Sequence, residues 1–264
     1  KACNSLDTTK CSSAVTYTVV LFTNAPTIGN FVTLDNQSGI YYRVLYNTSG
    51  STYMVLRMNG DLGTMAFGSN NTYNGSTLDT YMNTTFYNTL SSNIKSAIVD
   101  NNINQKIYQY YDSPDTAGDT TYTYQYQFYW RDSDYENANL ESTTNVGSRH
   151  VYALDIEDIY LYMSALKGSN QRIITSNELI NMFYNKSKLT TTQTAIWLRS
   201  AYANEPQWVW YIDNYDGALL DDGQQGVDEV KEVRPAFLID LSKINFTEVN
   251  SSTISCSALG NTGC

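Results

Sequence analysis

The spacing of apolar and polar positions changes several times along the chain, and each change predicts an element. Residues 1–14 are polar and show no period. Thr16–Phe22 (TYTVVLF) is a dense run of β-branched and aromatic residues and predicts a strand. Three more short strands are expected at Phe31–Leu34, Ile40–Leu45 and Tyr53–Arg57, with Asn36–Gly39 and Asn47–Ser51 supplying the turns. The period then lengthens. Behind a Ser76 N-cap, Leu78, Tyr81, Met82, Thr85 and Phe86 fall at the three-and-four spacing of one helical face. A second short helix is expected over Ser92–Val99. Thr121–Trp130 returns to period two, with Tyr122, Tyr124, Tyr126, Phe128 and Trp130 on one aromatic face, read as core ahead of an exposed contact stripe.

Arg131–Arg149 reads as a polar loop. Asp155 can cap a helix through Ile156, Ile159, Tyr160 and Met163, with Asp158 in its first turn. Asn177 is the expected cap of another helix through Leu179, Ile180 and Phe183. Ala195–Leu241 reads as strands joined by an acidic, glycine-containing loop, and residues 242–264 as a polar tail. No internal repeat or low-complexity linker interrupts the pattern. The expected class is α+β, mainly antiparallel β with several short helices. One domain over residues 28–241 would sit between a cysteine-bearing amino-terminal tail with an extra strand (1–27) and a cysteine-bearing carboxy-terminal tail (242–264).

Composition narrows the function. Charged residues are only 16% of the chain, so the polar surface comes from Asn, Thr, Ser, Gln and the 23 tyrosines. The formal charge of −10 repels polyanions, which sets nucleic acid aside as a partner. No apolar run is long enough to cross a bilayer, so this chain is not expected to insert into a membrane. The cysteines are Cys3, Cys11, Cys256 and Cys264, in a C-x7-C spacing at each end that fits no zinc pattern. Disulfides, and hence an extracellular or cell-surface setting, fit better. Two local loops, either of two end-to-end pairings, or bonds between subunits all remain open.

A resemblance emerges in the second half. Trp197-Leu198-Arg199-Ser200, Tyr211-Ile212-Asp213, Asp216-Gly217 and Val233-Arg234-Pro235-Ala236-Phe237 resemble the end of a bacterial family of unknown function. That family carries a WLRS…G…VRPA signature and occurs on surface proteins of Firmicutes and their relatives. Upstream, Gly29-Asn30-Phe31-Val32, Tyr42-Arg43-Val44-Leu45, Ser76-Thr77-Leu78 with Tyr81-Met82-Asn83, and Val151–Asp158 resemble its earlier elements in order. Tyr42, Asp79 and Tyr81 replace the family's Trp, Arg and Trp. The resemblance spans about residues 28–241 and implies the C-type-lectin-like fold of sulfatase-modifying factors and retroelement-diversified receptors. Trp197, Arg199, Arg234 and Pro235 then read as scaffold: a buried ring, guanidiniums that satisfy carbonyls, and a proline that extends the backbone before it.

Chemistry for catalysis is sparse. His150 is the only histidine and follows a polar stretch with no nucleophile motif. The oxidase activity of sulfatase-modifying factors needs internal cysteines, and the interior of this sequence has none. No particular carboxylate pair points to a glycosidase. The expectation is a protein that is not an enzyme and needs no cofactor. Asp213, Asp216, Asp221 and Asp222, with Asp228, are weak candidates for calcium, since their order is not that of an EF-hand. Glu205-Pro206-Gln207 has only a superficial likeness to the sugar-binding motif of calcium-dependent lectins. Contact chemistry stands out more. Tyr202, Trp208, Trp210, Tyr211 and Tyr215 interleave with Asn204, Gln207, Asn214 and Gln224, pairing rings that stack with amides that adapt. Two functions are therefore expected. One is a surface binding or adhesion module whose face over about 201–229 meets a protein or glycan. The other is a filament or pilus subunit that self-assembles through strand addition and disulfides.

Overall fold

The computed structural model describes residues 3–4, 7–11, 25–113, 126–131, 134–168, 173–186, 194–212, 219–220 and 226–261. At the amino end, β1 (Cys3–Asn4) and β2 (Asp7–Cys11) pair antiparallel, with Cys3 opposite Cys11. The predicted strand Thr16–Phe22 lies outside the described residues. A meander of β3 (Phe31–Leu34), β4 (Tyr42–Ser49) and β5 (Thr52–Arg57) follows. Asp35 and Asn36 turn the chain after β3 at φ 52° and 57°, a region that short polar side chains tolerate. After β6 (Thr64–Ala66), Ser76 caps α1 (Thr77–Thr80) by accepting the Asp79 N–H.

The helix then widens into a π-helical turn, Tyr81–Phe86, before α2 (Tyr87–Thr89). Asn83 accounts for the widening. Its Nδ2 donates to the Asp79 carbonyl, the acceptor that its own N–H would use in an α-helix, and also to the Val151 carbonyl. Leu78, Met82 and Phe86 are buried, whereas Tyr81 is half-buried and Thr85 exposed, so the apolar face is narrower than predicted. Ser91 caps α3 (Ser92–Ala97), which gives way to β7 (Ile98–Val99) instead of continuing as helix.

The largest departure comes next. β8 (Asn101–Ser113) and β10 (Asp134–Arg149) form a long antiparallel pair, with β9 (Tyr126–Arg131) on the far side of β10. Residues 134–149, expected as loop, are therefore strand. Register shifts between Leu140 and Ser142 and between Asn145 and Gly147 break the period-two pattern that would have revealed β10. In β8 a buried position belongs to Gln105, which hides the alternation there.

Asp155 caps α4 (Ile156–Lys167) in a capping box with Asp158. After β11 (Ile173–Thr175), α5 (Ser176–Tyr184) is capped by Thr175 with Glu178, two residues earlier than the expected Asn177. Thr-Ser-Asn-Glu is the capping-box spacing, and the reciprocal hydrogen bonds decide between the two candidates. The chain closes with β12 (Ile196–Tyr202), β13 (Val209–Ile212), β14 (Leu219–Leu220), β15 (Val230–Glu232), β16 (Ala236–Asp240) and β17 (Phe246–Val249).

Among the described residues two sheets share one apolar core. The six-stranded sheet runs β17-β3-β4-β5-β16-β7 and is antiparallel throughout. The larger sheet runs β11-β9-β10-β8-β12-β13-β14, with β15 joining β12 to β6. Its parallel contacts are β11 to β9, β12 to β8 and β12 to β15. The class is α+β, mostly antiparallel strands with a few short helices.

A buried charge cluster ties these layers together at the start of α4. The Arg199 guanidinium of β12 donates to Asp158 Oδ2 at 2.7 Å, to the Ala153 carbonyl at 2.6 Å and to the Asn104 carbonyl at 2.9 Å. Tyr46 of β4 donates to the other oxygen of Asp158 at 2.8 Å, and Tyr108 of β8 donates to Asp155 at 2.9 Å. Burial pushes the Asp155 carboxyl up, against the pull of Arg199. Burial alone would lower the Arg199 guanidinium, but Asp158 and Asp155 together hold it above its ordinary value.

Residues 242–261 are not the polar tail expected from composition. β17 is an edge strand of the six-stranded sheet, paired with β3. Beyond it, Asn185 Nδ2 holds the Ser251 and Ile254 carbonyls, Leu259 is fully buried, and Arg234 donates to Asn261 Oδ1 at 2.6 Å. Polar residues mislead here because they spend their polar groups on the body of the fold rather than on solvent.

Replacing Arg199 by Met would leave two buried carboxylates without their cation. Urea denaturation is expected to show a loss of roughly 3–5 kcal/mol, and a loss no larger than that of an exposed ion pair would mean the cluster is not structural. The facing positions of Cys3 and Cys11 suit a local disulfide. Peptide mapping without reductant should recover them as a linked pair, and linkage of either to Cys256 would contradict the register.

Candidate functional site

The tip of the β12–β13 hairpin gathers those predicted contact residues that remain accessible. Ala203–Gln207 makes the turn, with Asn204 at φ 67° and the Trp208 N–H donating to the Glu205 carbonyl at 3.0 Å. Tyr202 and Trp208, both half-buried, pack edge to face with ring centroids 5.4 Å apart. Asn204, Glu205, Pro206 and Gln207 are exposed around them.

Trp210 is not part of this surface. It is fully buried, packed against Tyr202 at 6.0 Å and Tyr108 at 6.5 Å. Every residue of β13 is buried, because the strand is covered on both faces. The expected alternation of inward and outward rings therefore fails, and the assignment of Trp210 as a ligand contact is corrected to core. Tyr211 is buried as well. Tyr215 and Gln224, and the calcium candidates Asp213, Asp216, Asp221 and Asp222, lie outside the described residues, as do Asn214 and Cys264. Among the described residues no three His, Cys, Asp or Glu side chains converge on a metal-sized space.

The hairpin tip rests on a segment that sequence reasoning passed over. The Asn71 backbone N–H donates to the Pro206 carbonyl at 2.7 Å, and its Nδ2 donates to the carbonyls of Tyr202 and Glu205 at 3.1 and 2.9 Å. Gln105, buried in β8, holds that segment in turn. Its Nε2 donates to the Asn71 carbonyl at 2.6 Å and the Arg199 carbonyl at 3.0 Å, and its Oε1 accepts the Tyr73 N–H at 2.8 Å. Asn204 Nδ2 reaches Gln109 Oε1 at 3.0 Å. Amides thus lock three distant stretches of chain into one surface. The signal for this was the run Ser69-Asn70-Asn71-Thr72-Tyr73-Asn74, which reads locally as nothing more than a loop.

Beside the tip, Ser69, Asn70, Thr72, Asn74, Gly75 and Ser76 line a polar cleft of about 180 Å³. At its edge Arg149 grips Asp79 through two hydrogen bonds of 2.8 Å and also donates to Asn74 Oδ1 at 2.8 Å. The bond to Asp79 is the main reason that the Arg149 guanidinium is held above its ordinary value. A larger and more apolar hollow of about 340 Å³ lies between α4 and α5, lined by Tyr162, Met163 and Leu166 among others. Among the described residues, none of the predicted contacts borders it.

The other singled-out residues fall in the interior or at a packed edge. Trp197 is buried and its indole N–H donates to the Met65 carbonyl at 2.8 Å. Arg234 is buried, donates to the Met58 carbonyl and lies 2.9 Å from Glu232. The Pro235 carbonyl accepts the Arg57 N–H at 2.8 Å. Cys256 is buried and disulfide-bonded within the chain. His150 stacks flat on Tyr87 at 4.3 Å and places Nδ1 2.5 Å from Asp100.

Comparison with known proteins places the chain in a family. It belongs to the family described as Domain of unknown function (DUF6273), which matches residues 51–241. The matched span starts within the β4–β5 turn, later than the expected residue 28, and ends just after β16. No curated protein and no solved structure matches the chain.

The two tryptophans of the hairpin should behave in opposite ways. Trp210→Ala is expected to lower unfolding stability by roughly 3–5 kcal/mol, as a truncated core aromatic does. Trp208→Ala should cost about 1 kcal/mol or less, as a partly exposed substitution does. Chemical denaturation of both variants checks this, and equal losses would place Trp208 in the core.

Proposed function

We propose that this chain is a non-catalytic binding module of a bacterial cell surface, and that it meets its ligand at the β12–β13 hairpin tip and the adjoining segment 69–76. The observation that carries this reading is the half-buried Tyr202–Trp208 pair, on a turn that Asn71 holds by the Tyr202 and Glu205 carbonyls and that Gln105 braces through Asn71. Aromatic rings offer a large contact area at little entropic cost, and amides donate and accept with equal ease. Preorganisation of the rim lowers the ordering cost of association. The C-type-lectin-like arrangement implied by the resemblance is part of the proposal and gives a reason for function to sit on loops above a rigid body.

The disulfide of Cys256 supports an exported location.

Binding to host-cell and cell-wall preparations tests the reading. The intact protein is expected to be retained, and Trp208→Ala to lose about tenfold or more in affinity, the weight of a central aromatic contact. Unchanged retention by a correctly folded Trp208→Ala variant would remove the proposed face.

A further inference from the structure

Resting on that reading, we infer that the ligand is an uncharged glycan, and that the cleft beside the hairpin tip seats one of its sugar units. Its lining residues carry the hydroxyls of Ser69 and Thr72 and the amides of Asn70 and Asn74, together with Ser76, whose hydroxyl already accepts the Asp79 N–H. Every one of these side chains is neutral, and each hydroxyl both donates and accepts. Such a lining answers a ring of vicinal hydroxyls, which also donate and accept from neighbouring atoms. The space of about 180 Å³ holds one compact polar unit. It has too little apolar wall to attract a hydrophobic side chain, which argues against a protein partner anchored there.

Charge is the second line of argument. The cationic group at the cleft edge, Arg149, spends its Nε and one terminal nitrogen on Asp79, which is itself buried. Asn74 turns its Oδ1 toward that arginine, so its Nδ2 points to the other side of the amide. Asn70 uses Oδ1 to accept the Thr72 N–H at 2.9 Å, which fixes this stretch of the cleft wall. Among the described residues that line the cleft none is cationic, and Arg149 at its edge already holds Asp79, while the net charge of −10 opposes the approach of an acidic sugar. Trp208 and Tyr202 stand on the hairpin that Gln207 joins to the Ser69 carbonyl, at 3.5 Å. They offer aromatic edges and faces for the apolar side of the next sugar ring.

The test uses the intact protein on immobilised neutral polysaccharides (mannan, xylan and a mixed β-glucan), acidic ones (polygalacturonate and hyaluronan) and protein-only extracellular matrix. Thr72 is exposed, so Thr72→Val removes one hydroxyl without disturbing the core, and a thermal melt matching the parent certifies its fold. Retention on a neutral polysaccharide, weakened about fivefold by Thr72→Val, the weight of one hydrogen bond, and further by Trp208→Ala, supports the inference. Retention on a neutral polysaccharide that Trp208→Ala weakens and Thr72→Val does not would overturn the cleft assignment. Trp208-dependent binding confined to acidic polysaccharide or to protein overturns the ligand class and leaves the binding-module reading standing. Binding to nothing on the panel or on cell-surface preparations, or binding indifferent to Trp208→Ala, overturns both.

Discussion

The fold turns on one buried cation. Arg199 leaves β12 of the larger sheet and meets the capping box of α4, whose Asp158 is also held by Tyr46 from the smaller sheet. With Tyr108 of β8 on Asp155, four elements share a single charge cluster inside a shell of apolar side chains. A capping box ordinarily settles only where a helix begins. Here the same two carboxylates settle how two sheets and a helix are oriented, because a buried charge has no acceptable position away from its partner. Each neighbour then falls into line. Ser200, next to Arg199, accepts the first helical N–H of α4, and Gln105 takes up the Arg199 carbonyl.

That cluster connects to the candidate surface by a short path. Gln105 stands between Arg199 and Asn71, and Asn71 holds the hairpin tip. The candidate face is thus built on loops, yet its geometry is inherited from the core. Side-chain amides suit this task, since one Asn or Gln satisfies a donor and an acceptor on different segments at once. The scarcity of charged residues and the abundance of Asn and Gln in the composition take on meaning here.

Much of the fold was legible where local chemistry and tertiary role agree. Ser76 and Asp155 start helices because their side chains cap backbone N–H groups wherever those helices pack, and Phe31–Leu34 is apolar because it lies in the core. Legibility failed where a polar residue occupies a buried position. Gln105 broke the alternation of β8, bulges broke that of β10, and Asn83 widened a helix whose apolar spacing looked regular. Trp210 shows the converse error: a ring that looked available for contact is enclosed because its strand has neighbours on both faces. Of the site, Tyr202, Asn204 and Trp208 could be named from sequence. The segment 69–76 could not, since its meaning lies in hydrogen bonds to residues more than a hundred positions away.

The edge pairing of β17 with β3 bears on how the molecule would carry load. Phe31 lies opposite Val249 and Leu34 opposite Phe246, so the chain enters β3 and leaves β17 at the same end of the ladder. Tension applied to the two termini of an antiparallel pair in this arrangement peels it open one rung after another, instead of straining all rungs together. We expect a tethered molecule of this kind to yield first at its carboxy-terminal strap, leaving the Arg199 cluster and the hairpin tip in place. The strap would then act as a fuse, lengthening under drag before the core is strained.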